Sequence, residues 1–140
     1  MDERIAKFIS KQTCASICCI DEGGRPYCFS CFYAFNDEEI MLYFKSSEDS
    51  HHSGLLKKNA MVAGTILPDK LGLFQIKGIQ FEGIVLPDDP KAAAYYYQKH
   101  KVAIAIAGEI WTIRINKIKF TDNSLGFGKK ILWERELSIA

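Results

Sequence analysis

Short strand-like runs follow one another along most of this sequence, and most are joined by brief turns rather than by helices. Sequential strands on short turns pair antiparallel. Cys14 to Ile20 reads as a first strand and Asp21 to Arg25 as a hairpin loop, because paired glycines accept positive φ at little cost. Tyr27 to Phe35 reads as a second strand, Asn36 to Glu39 as a turn, and Ile40 to Lys45 as a third strand. Met61 to Leu67 is a fourth, broken by Pro68-Asp69-Lys70, and Leu73 to Val85 is a long fifth with Gly78 inside it. Glu109 to Phe120 and Lys130 to Leu137 complete the set.

Two devices predict that this sheet curls. A glycine inside a strand, here Gly78, marks a bulge or bend. In the sixth run Trp111, Ile113 and Ile115 alternate, then Ile118 and Phe120 take over. That one-residue slip near Asn116-Lys117 predicts a bulge. Curling favours a barrel over a flat sheet. Three short helices accompany the strands. Asp2 caps the first, whose apolar face is Ile5, Phe8 and Ile9. Ser46 and Asp49 stand at capping-box spacing before a helix running to about Lys58. Pro87 to Pro90 opens the third, with a body from Lys91 to Lys99. The expected class is mainly β: an antiparallel β-barrel with a few short helices in one domain. Strands and helices do not alternate regularly, which excludes a Rossmann-like fold.

Charge narrows the partners. The 140 residues carry 18 basic and 17 acidic side chains, a net charge of +1. That balance gives no electrostatic case for nucleic acid or an anionic membrane. No apolar run approaches the roughly 20 residues of a membrane span. The first twelve residues hold Asp2 and Glu3 and no long apolar core, so no signal peptide is read there and a cytoplasmic location is expected. Five cysteines lie at positions 14, 18, 19, 28 and 31. Cys28 and Cys31 have C-x-x-C spacing, but they fall within a strand, which sends residues three apart to opposite faces. Free thiols and no metal are expected. His100, between Lys99 and Lys101, reads as solvated, and Glu82 and Glu109 read as single carboxylates without partners.

The order of elements resembles the split β-barrel of the pyridoxamine-phosphate oxidase-like superfamily. Within it, the chain closely resembles a family of small bacterial proteins over nearly its whole length. The most specific strings are IKFTDNSLGFGKKILW, from Ile118 to Trp133, and MVAGT, from Met61 to Thr65; IQFEG, from Ile79 to Gly83, also fits.

The resemblance implies flavin mononucleotide (FMN) held at a homodimer interface. The superfamily's phosphate site is a hydroxyl residue, a Ser or Thr four positions on, then two basic residues. Ser46, Ser50, His51 and His52 take those places, with Ser47 and Lys45 beside them. A helix N-terminus offers unpaired N–H groups and partial positive charge, and serine hydroxyls donate to phosphate oxygens. Arg and Lys are usual at the basic pair, whereas histidines are only partly charged at neutral pH. Ser30, Cys31 and Phe32 lie where the superfamily's second strand runs beside the flavin ring; as successive strand residues, they cannot all face it.

The segment Phe120 to Lys130 falls near the flavin- and substrate-contacting region of pyridoxamine-phosphate oxidase itself. Thr121 stands near that enzyme's tryptophan, and Lys129 with Lys130 near its arginines. The tryptophan and its Arg-Leu-His string are absent, which argues against vitamin B6 phosphate as substrate. The other reading is a structural loop in which Asp122 and Asn123 bond local backbone.

The leading expectation is an FMN-dependent oxidoreductase. Two alternatives stand beside it: a non-catalytic module holding flavin, haem or another planar ligand, and a ligand-free structural barrel.

Overall fold

The computed structural model describes residues 1–126 and 129–136. Its elements run α1 (Glu3–Lys11), β1 (Cys14–Ile20), β2 (Pro26–Asn36), β3 (Met41–Ser46), α2 (His51–Lys58), β4 (Met61–Ile66), β5 (Lys77–Leu86), α3 (Ala92–Lys99), β6 (Glu109–Asp122) and β7 (Lys130–Glu134). Every strand pairing is antiparallel. The order β3-β2-β1-β4-β5-β6-β7 closes on itself, because β3 also pairs with β6. The result is a six-stranded barrel with β7 laid on its β6 margin.

Alternation fills the barrel. Ile17, Leu42, Phe44, Ile113 and Ile115 are fully buried in one cluster with Ile79, Phe81, Ile118 and Phe120. Each such side chain contributes roughly 1.5–3 kcal/mol by leaving water. Helix α1 is capped by Asp2, whose carboxylate accepts from Arg4 N at 2.8 Å, and it buries Ile5, Phe8 and Ile9 against that cluster. The Tyr33 hydroxyl ties α1 down by donating to the Ile9 carbonyl at 2.5 Å. Helix α3 covers the outside of the barrel, where Ala34, Tyr43, Ala92 and Tyr96 form a second cluster.

The phase slip in β6 is a bulge. Glu82 pairs with Lys117 but Gly83 pairs with Ile115, leaving Asn116 as the extra residue. Gly78, by contrast, pairs regularly with Thr121. Its missing side chain serves close approach, since a Cβ there would lie 3.2 Å from the Ile66 carbonyl oxygen. The fifth strand begins at Lys77, not Leu73: β4 pairs only as far as Ile66 with Ile79 and β6 only as far as Asp122 with Lys77, where the ladder gives way to the 123–125 turn. Leu73 and Phe74 are instead 92% and 85% exposed. Helix α2 begins at His51 and is capped by Ser50, whose hydroxyl accepts from Ser53 N at 3.4 Å. Ser46 is the last residue of β3 rather than a helix cap. The expected end of the last strand, Leu137, lies outside the described residues, as do Phe127 and Gly128 of the 120–130 segment.

Candidate functional site

The end of β3 and the start of α2 bring Ser46, Ser50, His52 and Ser53 together. Ser46 Oγ lies 2.5 Å from His52 Nε2 and 3.2 Å from Ser50 Oγ. Ser50 Oγ is 3.2 Å from the same nitrogen and 2.6 Å from Ser53 Oγ. The Ser47 carbonyl accepts from the Ser50 and Ser53 hydroxyls at 2.9 and 2.8 Å, which folds the 46–50 segment into a cup over the helix start. Hydroxyls rotate and imidazole titrates, so this cluster can offer donors to an anion and proton uptake to balance it.

The two adjacent histidines part company. His52 turns into the cluster and stacks flat on Phe29, with centroids 3.8 Å apart and planes 8° from parallel. His51 is exposed and meets the Tyr27 ring edge-on at 4.8 Å. Burial first, and then the neighbouring His51, hold the His52 pKa below its ordinary value. Both effects favour the neutral ring in the free protein. Phe29 in turn packs on Phe44, and Phe44 on Trp111, so an aromatic row runs from His52 into the barrel.

A cleft of about 690 Å³ opens beside Ser46 and Ser47. Phe32, Lys45, His100 and Ile106 line it, together with residues of the 3₁₀ segment Lys101–Ala105, which the sequence had not suggested. Its volume suits a drug-sized ligand. Ser30 and Phe32 are exposed on the outer face of β2, whereas Cys31 turns inward against the core. Burial, with a smaller effect of nearby Cys14, pushes the Cys31 thiol up to about 12. Cys31 therefore contributes only backbone to the outer face, and Cys28, exposed on the other side of β2, cannot share a metal with it.

Lys45 lies in the cleft wall, but its ammonium is occupied. It donates to the Tyr97 hydroxyl and the Ala103 carbonyl, both at 2.8 Å, and to the Ile106 carbonyl. His100 is not solvated as the sequence suggested. Its Nε2–H donates to the Tyr33 carbonyl at 2.7 Å, and its ring packs beside Tyr96 and Phe32. Glu109 is not isolated either. It pairs with Ser46 across β3 and β6, and hydrogen bonding to the neighbouring Glu48 raises its carboxyl pKa.

Lys129 lies beyond the far end of β6 from the Ser46–Glu109 pair, so one protomer does not bring it to the serine cluster. In its neighbourhood Asp122 accepts from Ser124 N and Ser124 Oγ at 2.9 and 2.7 Å, and Asn123 donates to the Phe74 carbonyl at 2.8 Å. Those two side chains do the structural work of a loop. Missed by sequence reasoning were Phe29, Ser53 and His100; the HHS triplet after Ser50 was the available signal for Ser53.

Barrel, closing pair and helix placement define a split β-barrel of the pyridoxamine-phosphate oxidase-like type, and solved structures match it. A haem-binding protein from Mycobacterium smegmatis superposes with a TM-score of 0.75 at 12% identity, covering 91% of this chain but only 55% of its own. An FAD-binding protein from Mesorhizobium loti superposes with a TM-score of 0.67 at 17% identity, covering 87% of this chain and 94% of its own. The chain belongs to the UPF0306 family. It is 39% identical over 135 residues to a UPF0306 protein of Photorhabdus laumondii, covering 94% of each chain. No protein-family model matches the sequence. Among the described residues no helix is long and apolar enough to cross a membrane.

Proposed function

We propose that this protein binds FMN as a homodimer and is a flavin-dependent oxidoreductase. The observation that carries this reading is the convergence of Ser46, Ser50 and His52 at the start of α2, beside a cleft walled by Phe32 and Ile106. The donor set fits a phosphate monoester. Serine hydroxyls and the first N–H groups of α2 face the anion, and His52 takes up a proton to match its charge. Phe32 and Ile106 give an apolar wall to a planar ring and exclude water from it. Bound flavin would supply the electron-transfer chemistry, while the protein supplies position and electrostatics. The acidic pair Glu48 and Glu109 works against an anion at Ser46, which adds to the need for His52 to become cationic.

The surface supports the reading of a second subunit. Val102, Ile104 and Ile106 are 84%, 72% and 63% exposed beside the exposed Phe32. An apolar strip of this kind on a cleft rim favours a partner, and a second copy would complete the cleft.

The alternative, a non-catalytic holder of flavin, haem or another planar ligand for storage or sensing, draws for haem on the haem-binding structural neighbour. His100 lines the cleft, but its Nε2 is committed to the Tyr33 carbonyl. That leaves Nδ1 as its one nitrogen open to a metal, and what favours flavin is the phosphate-suited cluster of Ser46, Ser50 and His52 beside the same cleft. Calorimetric titration with FMN, riboflavin and haemin decides. FMN should bind most tightly, and saturation by haemin with no heat from millimolar FMN would overturn the reading. Oxidation of a reduced nicotinamide by the loaded protein separates an enzyme from a holder.

A further inference from the structure

We propose that Cys18 and Cys28 form a reversible thiol–disulfide pair that exchanges with small-molecule disulfides. Independent of any cofactor, this rests on the register of one hairpin. Cys18 and Cys28 stand directly opposite each other in the β1–β2 ladder.

Opposed residues in an antiparallel ladder alternate between hydrogen-bonded and non-hydrogen-bonded pairs. Asp21 N donates to the Arg25 carbonyl at one end, and Tyr33 N donates to the Thr13 carbonyl at the other. Counting inward from either bond assigns Cys18 and Cys28 to a non-hydrogen-bonded pair. The same count places Pro26, which has no N–H to give, in a non-hydrogen-bonded pair with Ile20. Such pairs have Cα atoms about 4.5 Å apart, which lies within the roughly 4.4–6.8 Å that a disulfide spans.

Access and chemistry agree with the register. Cys28 is exposed and Cys18 half-buried. Both line a groove of about 850 Å³ on the outer face of the sheet, where Ser16, Ala63 and Thr65 provide a floor of small side chains. Burial, and next the Cys28 thiol beside it, raise the Cys18 pKa, which disfavours Cys18 as first attacker and leaves that step to the exposed Cys28. The other cysteines have no thiol across the ladder: Cys14 faces Phe32, Cys19 faces Tyr27 and Cys31 faces Ala15.

The exchange balances as two displacements. The Cys28 thiol loses its proton, and its sulfur attacks one sulfur of the small disulfide, breaking that S–S bond and releasing one thiolate. The Cys18 thiol loses its proton, and its sulfur attacks Cys28 Sγ of the mixed disulfide, releasing the second thiolate. Both released thiolates take up a proton. Two cysteines are oxidised by two electrons, and the small disulfide is reduced to two thiols.

The test uses the full-length protein, reduced and then equilibrated with excess oxidised glutathione. Free thiols are alkylated, and the chain is cleaved before Asp21 to separate Cys18 from Cys28. The expected result is loss of two of the five thiols, an intrachain bridge between the Cys18 and Cys28 fragments, and its reversal by excess reduced glutathione. C18S should trap glutathione on Cys28. Retention of all five thiols, a different pairing, a bridge between chains, or no glutathione on C18S would each overturn the proposal.

Discussion

His52 lies flat against Phe29, 3.8 Å between ring centroids, with its Nε2 2.5 Å from Ser46 Oγ. The contact desolvates the ring and lowers its pKa. A folded-state pKa below the ordinary value of about 6.5 means the fold prefers neutral His52. Its contribution to stability is present above pH ~6.5 and is lost as pH falls through the lowered pKa. A phosphate dianion reverses the preference, because its charge favours imidazolium. FMN binding should therefore take up a proton, measurable as a dependence of binding heat on buffer ionisation enthalpy. Affinity should weaken as pH rises above about 7, where recruiting that proton becomes harder. Riboflavin, lacking phosphate, should show neither effect. His52→Ala should cost FMN about ten- to a hundredfold, the worth of a charge-assisted bond of about 1.5–3 kcal/mol, and leave riboflavin little changed. Equal affinities and pH profiles for the two ligands would rule out a phosphate site at His52.

Lys45 is adjacent to Ser46 in sequence but bonded elsewhere, to Tyr97, Ala103 and Ile106. Lys45→Met keeps the aliphatic stem and removes those bonds. The expected result is a loss of about 1–3 kcal/mol of stability, with faster amide exchange in the 101–107 segment. The ratio of FMN to riboflavin affinity should stay the same. A collapse of that ratio would make Lys45 a phosphate ligand after all.

Self-association should depend on the apolar strip beside Phe32. Wild-type protein should sediment as twice 15.8 kDa. Ile106→Asp, placing a charge on a side chain 63% exposed in one protomer, should shift it to monomer with an unchanged far-ultraviolet circular dichroism spectrum, and with a urea midpoint lowered only by the lost association. FMN affinity should fall with it, since half the cleft wall leaves. A monomeric wild type at micromolar concentration would remove the dimer reading.

Much of this barrel was legible because short-range chemistry wrote it down. Asp2 before Ile5, Phe8 and Ile9 specifies α1, and the slip from Ile115 to Ile118 specifies the bulge at Asn116. What failed depended on partners distant in sequence. Leu73 to Ile76 reads as strand by composition, yet among the described residues β4 pairs only as far as Ile66 with Ile79 and β6 only as far as Asp122 with Lys77. Ser46 and Ser50 were readable as a hydroxyl pair, but the divergence of His51 from His52 depends on Tyr27 and Phe29 from another strand. His100 looked solvated between two lysines because the Tyr33 carbonyl that binds it is 67 residues away.

Two glycines should respond oppositely to the same change. Gly83 sits beside the bulge, where a Cβ would stand 2.4 Å from the Arg114 carbonyl oxygen and 3.0 Å from Ile113 Cγ2. That oxygen belongs to β6 backbone and cannot swing away, so Gly83→Ala must push β5 from β6 where the barrel curls. Overpacking of this kind costs typically about 1–3 kcal/mol. Gly54 lies on the exposed face of α2, and a Cβ there meets nothing within 4 Å. Gly54→Ala should stabilise by about 0.5–1 kcal/mol, because glycine loses more backbone freedom in a helix than alanine does. Urea denaturation of the two variants checks both signs. A Gly83→Ala protein as stable as wild type would show that the bulge can relax, and the close approach of Arg114 would not be what requires glycine there.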